Sequence, residues 1–421
     1  MARRKAVYYL GQPERIGEAC DQINRVRNLH PASDFDLTVV WPVLRPVANA
    51  AVMEMLCRGL QTVQVRSREE LLAVYQRIQQ QDPAFLFIED DRHHPEEEYA
   101  RVYGHERTFF CTLTAEEQAR GQQLRSRLGI PATARLVTLH VREGGYVPNL
   151  NYHNYRDANI KNYYPAIRYL VNRGYWVVRL GDKSMQKLED LPPQVIDAPF
   201  HPAYEPFFEP YFIASSRFYL GVPSGPMSLA RVFDIPSLLT NYPFLPIAPE
   251  THRDILVYKK YFSTQLGRLL SYEEAITSPV VDYNLTQLFE QSGIQLIENS
   301  PAELLAATWE METLLDGSYP YTEEAAHVQR QVAVIEEKAH VLRKLFNARE
   351  KGRRNPFYMS YLSDGRISLE FIRLNPGFLG HVWPTVRWQN FTPTIEEESV
   401  EMVGLRKGRL AFAGDSVVEG A

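Results

Sequence analysis

Three stretches of the sequence set residue types at spacings that suit work on a phosphorylated sugar. The first is LHVREGGY, residues 139–146, where a strand ending at His140 and Val141 delivers Arg142 to the mouth of a sheet, with Gly144 and Gly145 close behind. A guanidinium presents a planar fork that grips two phosphate oxygens and keeps its charge at any working pH, while paired glycines let a backbone approach a ligand closely. The plainer alternative is a surface ion pair between Arg142 and Glu143. The second stretch is SSRFYLGVPSGPMSLARVF, residues 215–233, a strand, a turn of Ser, Gly and Pro, and a helix opening near Pro226. Proline suits a first helical turn because its missing N–H would have no partner there. Ser224 then reads as an N-cap, and the N–H groups of Gly225, Met227 and Ser228 with the positive helix end form an anion site, although an ordinary capped helix needs the same residue types.

The third stretch is YYLGQPERIGEACDQINRV, residues 8–26, in which a strand runs into a loop holding Gly11 and Gly17 and then into a helix. Arg15, Gly17 and Asp21 belong to the acceptor side of this segment, and Glu18 stands at the helix start. A carboxylate there can accept the proton of an acceptor hydroxyl; as a favourable first-turn charge it needs no such role. Gly181, Asp182 and Lys183 follow a strand in WVVRLGDK and reach for ribose or phosphate in the same manner. Glu89, Asp90 and Asp91 with His93 and His94 read as a solvated loop, because adjacent residues rarely converge on one ion. No metal and no other cofactor is expected, and no GxxxxGK[ST] loop occurs.

The elements that must position these residues follow from apolar periodicity. Ala6–Leu10, Leu37–Val40, Thr62–Val65 and Phe85–Ile88 read as strands separated by amphipathic stretches, which argues for a parallel sheet covered by helices. A polar helix over residues 114–128 closes this series at Gly129 and Pro131. A second series then places strands at Arg135–His140, Trp176–Leu180, Phe218–Leu220 and Ser237–Thr240, with helices at Tyr163–Asn172, Glu205–Ser215 and Pro226–Phe233. At 421 residues the chain exceeds what one core organises. The expected architecture is α/β, with Rossmann-like domains at 1–128 and 129–320 facing a cleft and a helical and mixed extension at 321–421.

Composition narrows the class. A formal charge of −5 and a pI near 6.2 supply no field for a long nucleic-acid backbone. Three cysteines, an odd number at wide spacings, fit neither a disulfide framework nor a zinc site. No apolar run approaches the roughly 18 residues of a membrane helix, so a cytoplasmic protein with at most peripheral membrane contact is expected.

Taken together, LHVREGGY, YRDANIKNYYPAIRYLVNRGYWVVRLGDKSM and SSRFYLGVPSGP resemble a family of glycosyltransferases of bacterial surface-polysaccharide clusters. The resemblance spans roughly residues 137–310 and continues more weakly through LIENSPAEL and RISLEFIRLNPGFLGH. The HxR arrangement of His140 and Arg142 is similar to the donor-binding pattern of GDP-fucose-dependent fucosyltransferases, in which the arginine holds the donor pyrophosphate without a metal; Glu143, Gly144 and Gly145 depart from the commoner HxRRGD form. ERIGEAC is similar to the RIGD loop of heptosyltransferases, whose acidic residue is the base, and this implies that role for Glu18. The resemblance thus implies a GT-B type enzyme with a nucleotide-sugar donor, a carbohydrate or glycoconjugate acceptor and inverting transfer. Competing expectations are a nucleotide-sugar epimerase or hydrolase using Glu18 and His140 as base and acid, and a non-catalytic nucleotide-sugar-binding scaffold.

Overall fold

The computed structural model describes residues 3–43, 46–88, 101–102, 104, 106–145, 151–243, 251–349 and 365–380. The acidic run from Glu89 with His93 and His94 lies outside them. The chain divides into two compact units near residue 91.

The first unit is a parallel sheet in the order β3-β2-β1-β4, with β1 at Arg4–Tyr9, β2 at Phe35–Pro42, β3 at Gln61–Val65 and β4 at Leu86–Ile88. β1 and β2 are the near-continuous apolar runs that strands covered on both faces require. Helix Arg68–Gln81 shows why the pattern folds this way: Leu71, Val74 and Ile78 recur on one face and pack against Val7, Val40 and Val65. Each such side chain contributes about 1.5–3 kcal/mol on burial. Ser67 starts this helix by accepting the Glu70 N–H at 3.3 Å.

The second unit is built on a seven-stranded parallel sheet in the order β14-β10-β9-β8-β5-β6-β7. Its strands are β5 at Arg135–His140, β6 at Tyr175–Arg179, β7 at Val195–Asp197, β8 at Phe218–Gly221, β9 at Ser237–Tyr242, β10 at Ile255–Tyr258 and β14 at Arg366–Ile367. Between β10 and β14 the chain makes a small antiparallel sheet, β12-β11-β13, from Lys260–Ser263 (β11), Arg268–Leu270 (β12) and Ile294–Ile297 (β13). The expected strands of both series are present, with ends that agree within two residues.

Two segments belong elsewhere than the sequence suggested. Helix Ala115–Arg127, read as the close of the first series, packs within the second unit. Arg125 is buried there, its Nε donating to the Tyr211 hydroxyl at 2.8 Å and its Nη1 to the carbonyls of Ala132 and Ala134. Gly121 faces the Tyr211 ring so closely that a Cβ would lie 1.8 Å from a ring carbon. Residues 366–374, read as part of a trailing extension, are built into the second unit instead. β14 joins the edge of β10, and buried Glu310 of helix Pro301–Leu315 accepts the Ser368 hydroxyl at 2.6 Å and the N–H groups of Leu369 and Glu370 at 3.0 and 3.1 Å. A carboxylate spent on the free N–H groups of helix Leu369–Leu374 makes that turn part of the core.

All three cysteines are buried and none is in a disulfide. No helix of the described residues is long and apolar enough to cross a membrane.

Candidate functional site

Strand order locates the site of the second unit. From β5 the chain steps outward to β6 and β7 on one side, then returns to lay β8, β9, β10 and β14 on the other. The connections therefore diverge between β5 and β8, which opens a crevice at the carboxyl ends of those strands, where open α/β sheets take ligands. His140 ends β5 directly opposite Gly221, the end of β8.

His140 is nearly fully buried and its Nδ1 lies 2.9 Å from the Ser224 Oγ. Burial, with the positive charges of Arg179 and Arg142, lowers its pKa to about 3, so the ring is neutral at physiological pH. Ser224 occupies the N-cap position of helix Gly225–Val232, but its side chain makes no capping bond. The hydroxyl turns to His140 and to the Val222 carbonyl, 3.1 Å away. The expected row of free N–H groups is also shortened: Met227 donates to the Ser224 carbonyl at 3.1 Å, and Ser228 is buried. Gly225 is the first residue of the helix. What the sequence offered as a capped helix end is a serine–histidine contact between the two central strands.

Arg142, just beyond β5, does not pair with Glu143. It forms an ion pair with Asp157, and its Nη1 also donates to the His153 carbonyl at 2.8 Å. About a fifth of each ion-pair side chain stays exposed. Among the described residues no bond reaches Nε or Nη2 of Arg142, which leaves one edge of the fork for two further oxygens. Burial raises the Asp157 pKa against the opposing pull of Arg142, Lys259 and Arg156. Glu143 turns inward, accepting the Gln186 N–H at 2.6 Å and lying 3.4 Å from Arg179. Arg179 is fully buried and also meets Asp197 at 2.8 Å, so one guanidinium ties the loops after β5, β6 and β7 together.

The glycines serve these loops. Gly144 and Gly145 were expected to let backbone approach a ligand, but a Cβ on Gly145 would come within 2.8 Å of the Ser184 carbonyl and one on Gly144 within 3.1 Å of Asp157. Gly181 has φ +140° and a Cβ there would strike Met185 Sδ at 2.2 Å. Asp182 accepts the Ser184 N–H at 2.8 Å, while Lys183 is exposed.

Two residues escaped the sequence reading. Asp157 and Lys259 lie in unrelated stretches, yet the Lys259 Nζ donates to the Asp157 carbonyl at 2.6 Å. The only hint was a pair of lysines directly after an apolar run, YKK at residues 258–260.

In the first unit, Glu18 lies in the first turn of helix Ile16–Leu29, after β1 and thus at the switch between β1 and β4. Its Oε2 accepts from the Gln22 amide at 3.0 Å, and Gln22 Oε1 accepts from the buried Tyr8 hydroxyl at 2.6 Å. The carboxylate is thus oriented from the strand through a residue one turn on, the i to i+4 spacing that Glu18 and Gln22 show in the sequence. Arg15 is exposed at the N-cap without a side-chain capping bond. Gly17, read as loop, is the second residue of the helix, where N–H groups need no intrahelical partner. Asp21 is half-buried in the next turn.

No protein-family model and no curated protein matches the sequence. Among solved structures the chain is similar to the glycosyl transferase family 9 protein from Veillonella parvula DSM 2008, with 14% identity over 76% of this chain and 99% of that one and a TM-score of 0.50. It also matches the E. coli ADP-heptose lps heptosyltransferase II, 12% identical over 61% and 90% of the two chains with a TM-score of 0.37. A UDP-N-acetylglucosamine 2-epimerase is 13% identical over 76% and 98%, with a TM-score of 0.32. The fold is that of the family 9 glycosyl transferase structure. Identity this low carries the fold and leaves the chemistry to be argued from the residues.

Proposed function

We propose that this protein is a glycosyltransferase that moves a sugar from a nucleoside-diphosphate donor to a carbohydrate or glycoconjugate acceptor in bacterial surface-polysaccharide synthesis. The observation that carries the reading is Arg142 at the switch point of the second sheet, held by Asp157 and His153 with one guanidinium edge unbonded among the described residues. The fold shared with a glycosyl transferase supports it. Similarity of the HxR pattern to fucosyltransferases puts GDP-linked sugars first among donors.

In the proposed reaction Glu18 takes the proton of an acceptor hydroxyl, the oxygen attacks the anomeric carbon from the face opposite the leaving group, and the bond to the diphosphate breaks. Arg142 meets the negative charge that develops on the departing diphosphate, which fixed charge stabilises with little reorganisation. A neutral His140 held by Ser224 offers a hydrogen bond to the ligand. With a pKa near 3 it is not an imidazolium acid at neutral pH, which counts against an epimerase or hydrolase built on Glu18 as base and His140 as acid.

A thermal-shift panel of nucleoside diphosphates and nucleotide sugars with GDP, UDP, TDP and ADP bases, run in EDTA, tests the reading. A ligand at about 100 times its Kd adds about 2.7 kcal/mol to the stability of the folded state, a rise of roughly 3 °C for a chain of this length. Unchanged melting with every compound would remove the donor site.

A further inference from the structure

Lys259 sits between β10 and β11 and is only 3% exposed. A buried ammonium is costly unless its charge is used, and a neutral amide would serve one backbone carbonyl equally well. Its hydrogen bond runs to the carbonyl of Asp157, the residue whose carboxylate pairs with Arg142. The same short segment is fastened to Arg142 twice more, through the His153 carbonyl and through the Ala158 N–H, which donates to the Arg142 carbonyl at 3.0 Å. Residues 153–158 therefore form a clasp around Arg142, closed from the far side by Lys259.

We propose that Lys259 is a positioning residue for donor binding: its ammonium fixes Asp157 through the backbone carbonyl, adds positive charge beside the carboxylate that Arg142 pairs with, and so leaves the guanidinium's charge and outer edge to the donor diphosphate. This rests on the donor-binding reading above. If the ammonium loses its proton, Asp157 keeps Arg142 as its main counter-charge and the positive potential at the site falls. The charged groups that face Lys259 are Asp157 and Glu298, which favour its ammonium, and Arg142, which opposes it. Arg156 acts on Asp157 from the same segment. Burial is the largest influence and lowers the Lys259 pKa to about 8. A bound diphosphate favours the ammonium, so its pKa is higher in the complex than in the free protein. The contribution to affinity is then complete below about pH 8 and is lost as pH rises from there through the higher pKa of the complex.

The test is titration of the full chain with GDP, UDP, ADP and TDP between pH 6.5 and pH 9.5, comparing wild type with Lys259→Gln. Glutamine keeps an N–H donor, one bond shorter in reach, and removes the charge. The expected result is wild-type affinity that falls about tenfold across the range, and a variant about tenfold weaker at pH 7 whose affinity no longer follows that fall. The ligand's own phosphate protons leave near about pH 6 and titrate equally for both proteins. Wild-type and variant curves that coincide would overturn the role of Lys259 while leaving the donor site standing. Failure of wild type to bind any of the four would instead overturn the donor reading and this proposal with it. Should the variant not fold, the wild-type profile decides: affinity that does not fall between pH 7 and pH 9.5 rejects the proposal.

Discussion

Replacing Glu18 by Gln is expected to lower turnover by about 10²–10⁴-fold while donor affinity changes little, the signature of a lost general base. Glutamine preserves the side chain's length, and Gln22 can still hydrogen-bond the group that replaces the carboxylate oxygen, so helix Ile16–Leu29 should remain intact. The loss then reports basicity and not shape. Gln22→Leu provides a graded companion, because it keeps the carboxylate but removes the link to Tyr8 that orients it. A smaller fall in turnover is expected there. Equal loss of donor binding and turnover in Glu18→Gln would make Glu18 structural, and normal turnover would shift attention to Asp21.

Arg142→Ala is the second large effect. A charge-assisted grip on phosphate is worth about 1.5–3 kcal/mol, so donor affinity should drop by about 10–150-fold, with a further loss in turnover where leaving-group charge develops. The clasp adds a structural cost, because Asp157 would lose its ion-pair partner and His153 its donor. A melting temperature lower by a few degrees is therefore expected, and the titration belongs well below it. Arg142→Lys restores charge but not the planar fork, so it should recover part of the affinity. Full affinity in the alanine variant would take Arg142 out of the donor site.

Much of the framework was legible because strands of a parallel sheet are covered on both faces and announce themselves as apolar runs. VTLH, WVV, FYL and SLLT are such runs, and all lie in strands of the second sheet. β7 is only Val195–Asp197 and β14 only Arg366–Ile367, too short for any periodicity. Arg142 was legible as a candidate because a strand end followed by glycines is a local signal. Its supports were not, since Asp157 lies 15 residues on and Lys259 a further 102, and pairing at such distances is set by the sheet order. Ser224 shows the converse: its local context fits a cap, yet the adjacent end of β5 brings His140 within reach and the hydroxyl goes there. Likewise Gly145 is small so that the loop after β5 can meet Ser184 in the loop after β6, and Gly144 so that Asp157 of its own loop can close on it, which no local pattern reveals.

The central claim is transfer itself, and product analysis tests it most directly. The protein is incubated in excess EDTA with the nucleotide sugar that stabilises it most, with and without a mixture of bacterial surface glycans, and both nucleotide and sugar products are followed by mass spectrometry. The account expects nucleoside diphosphate to accumulate only when acceptor is present, with acceptor molecules heavier by one sugar residue. Release of free sugar at the same rate without acceptor, or conversion of the sugar while it stays attached to its nucleotide, would contradict it.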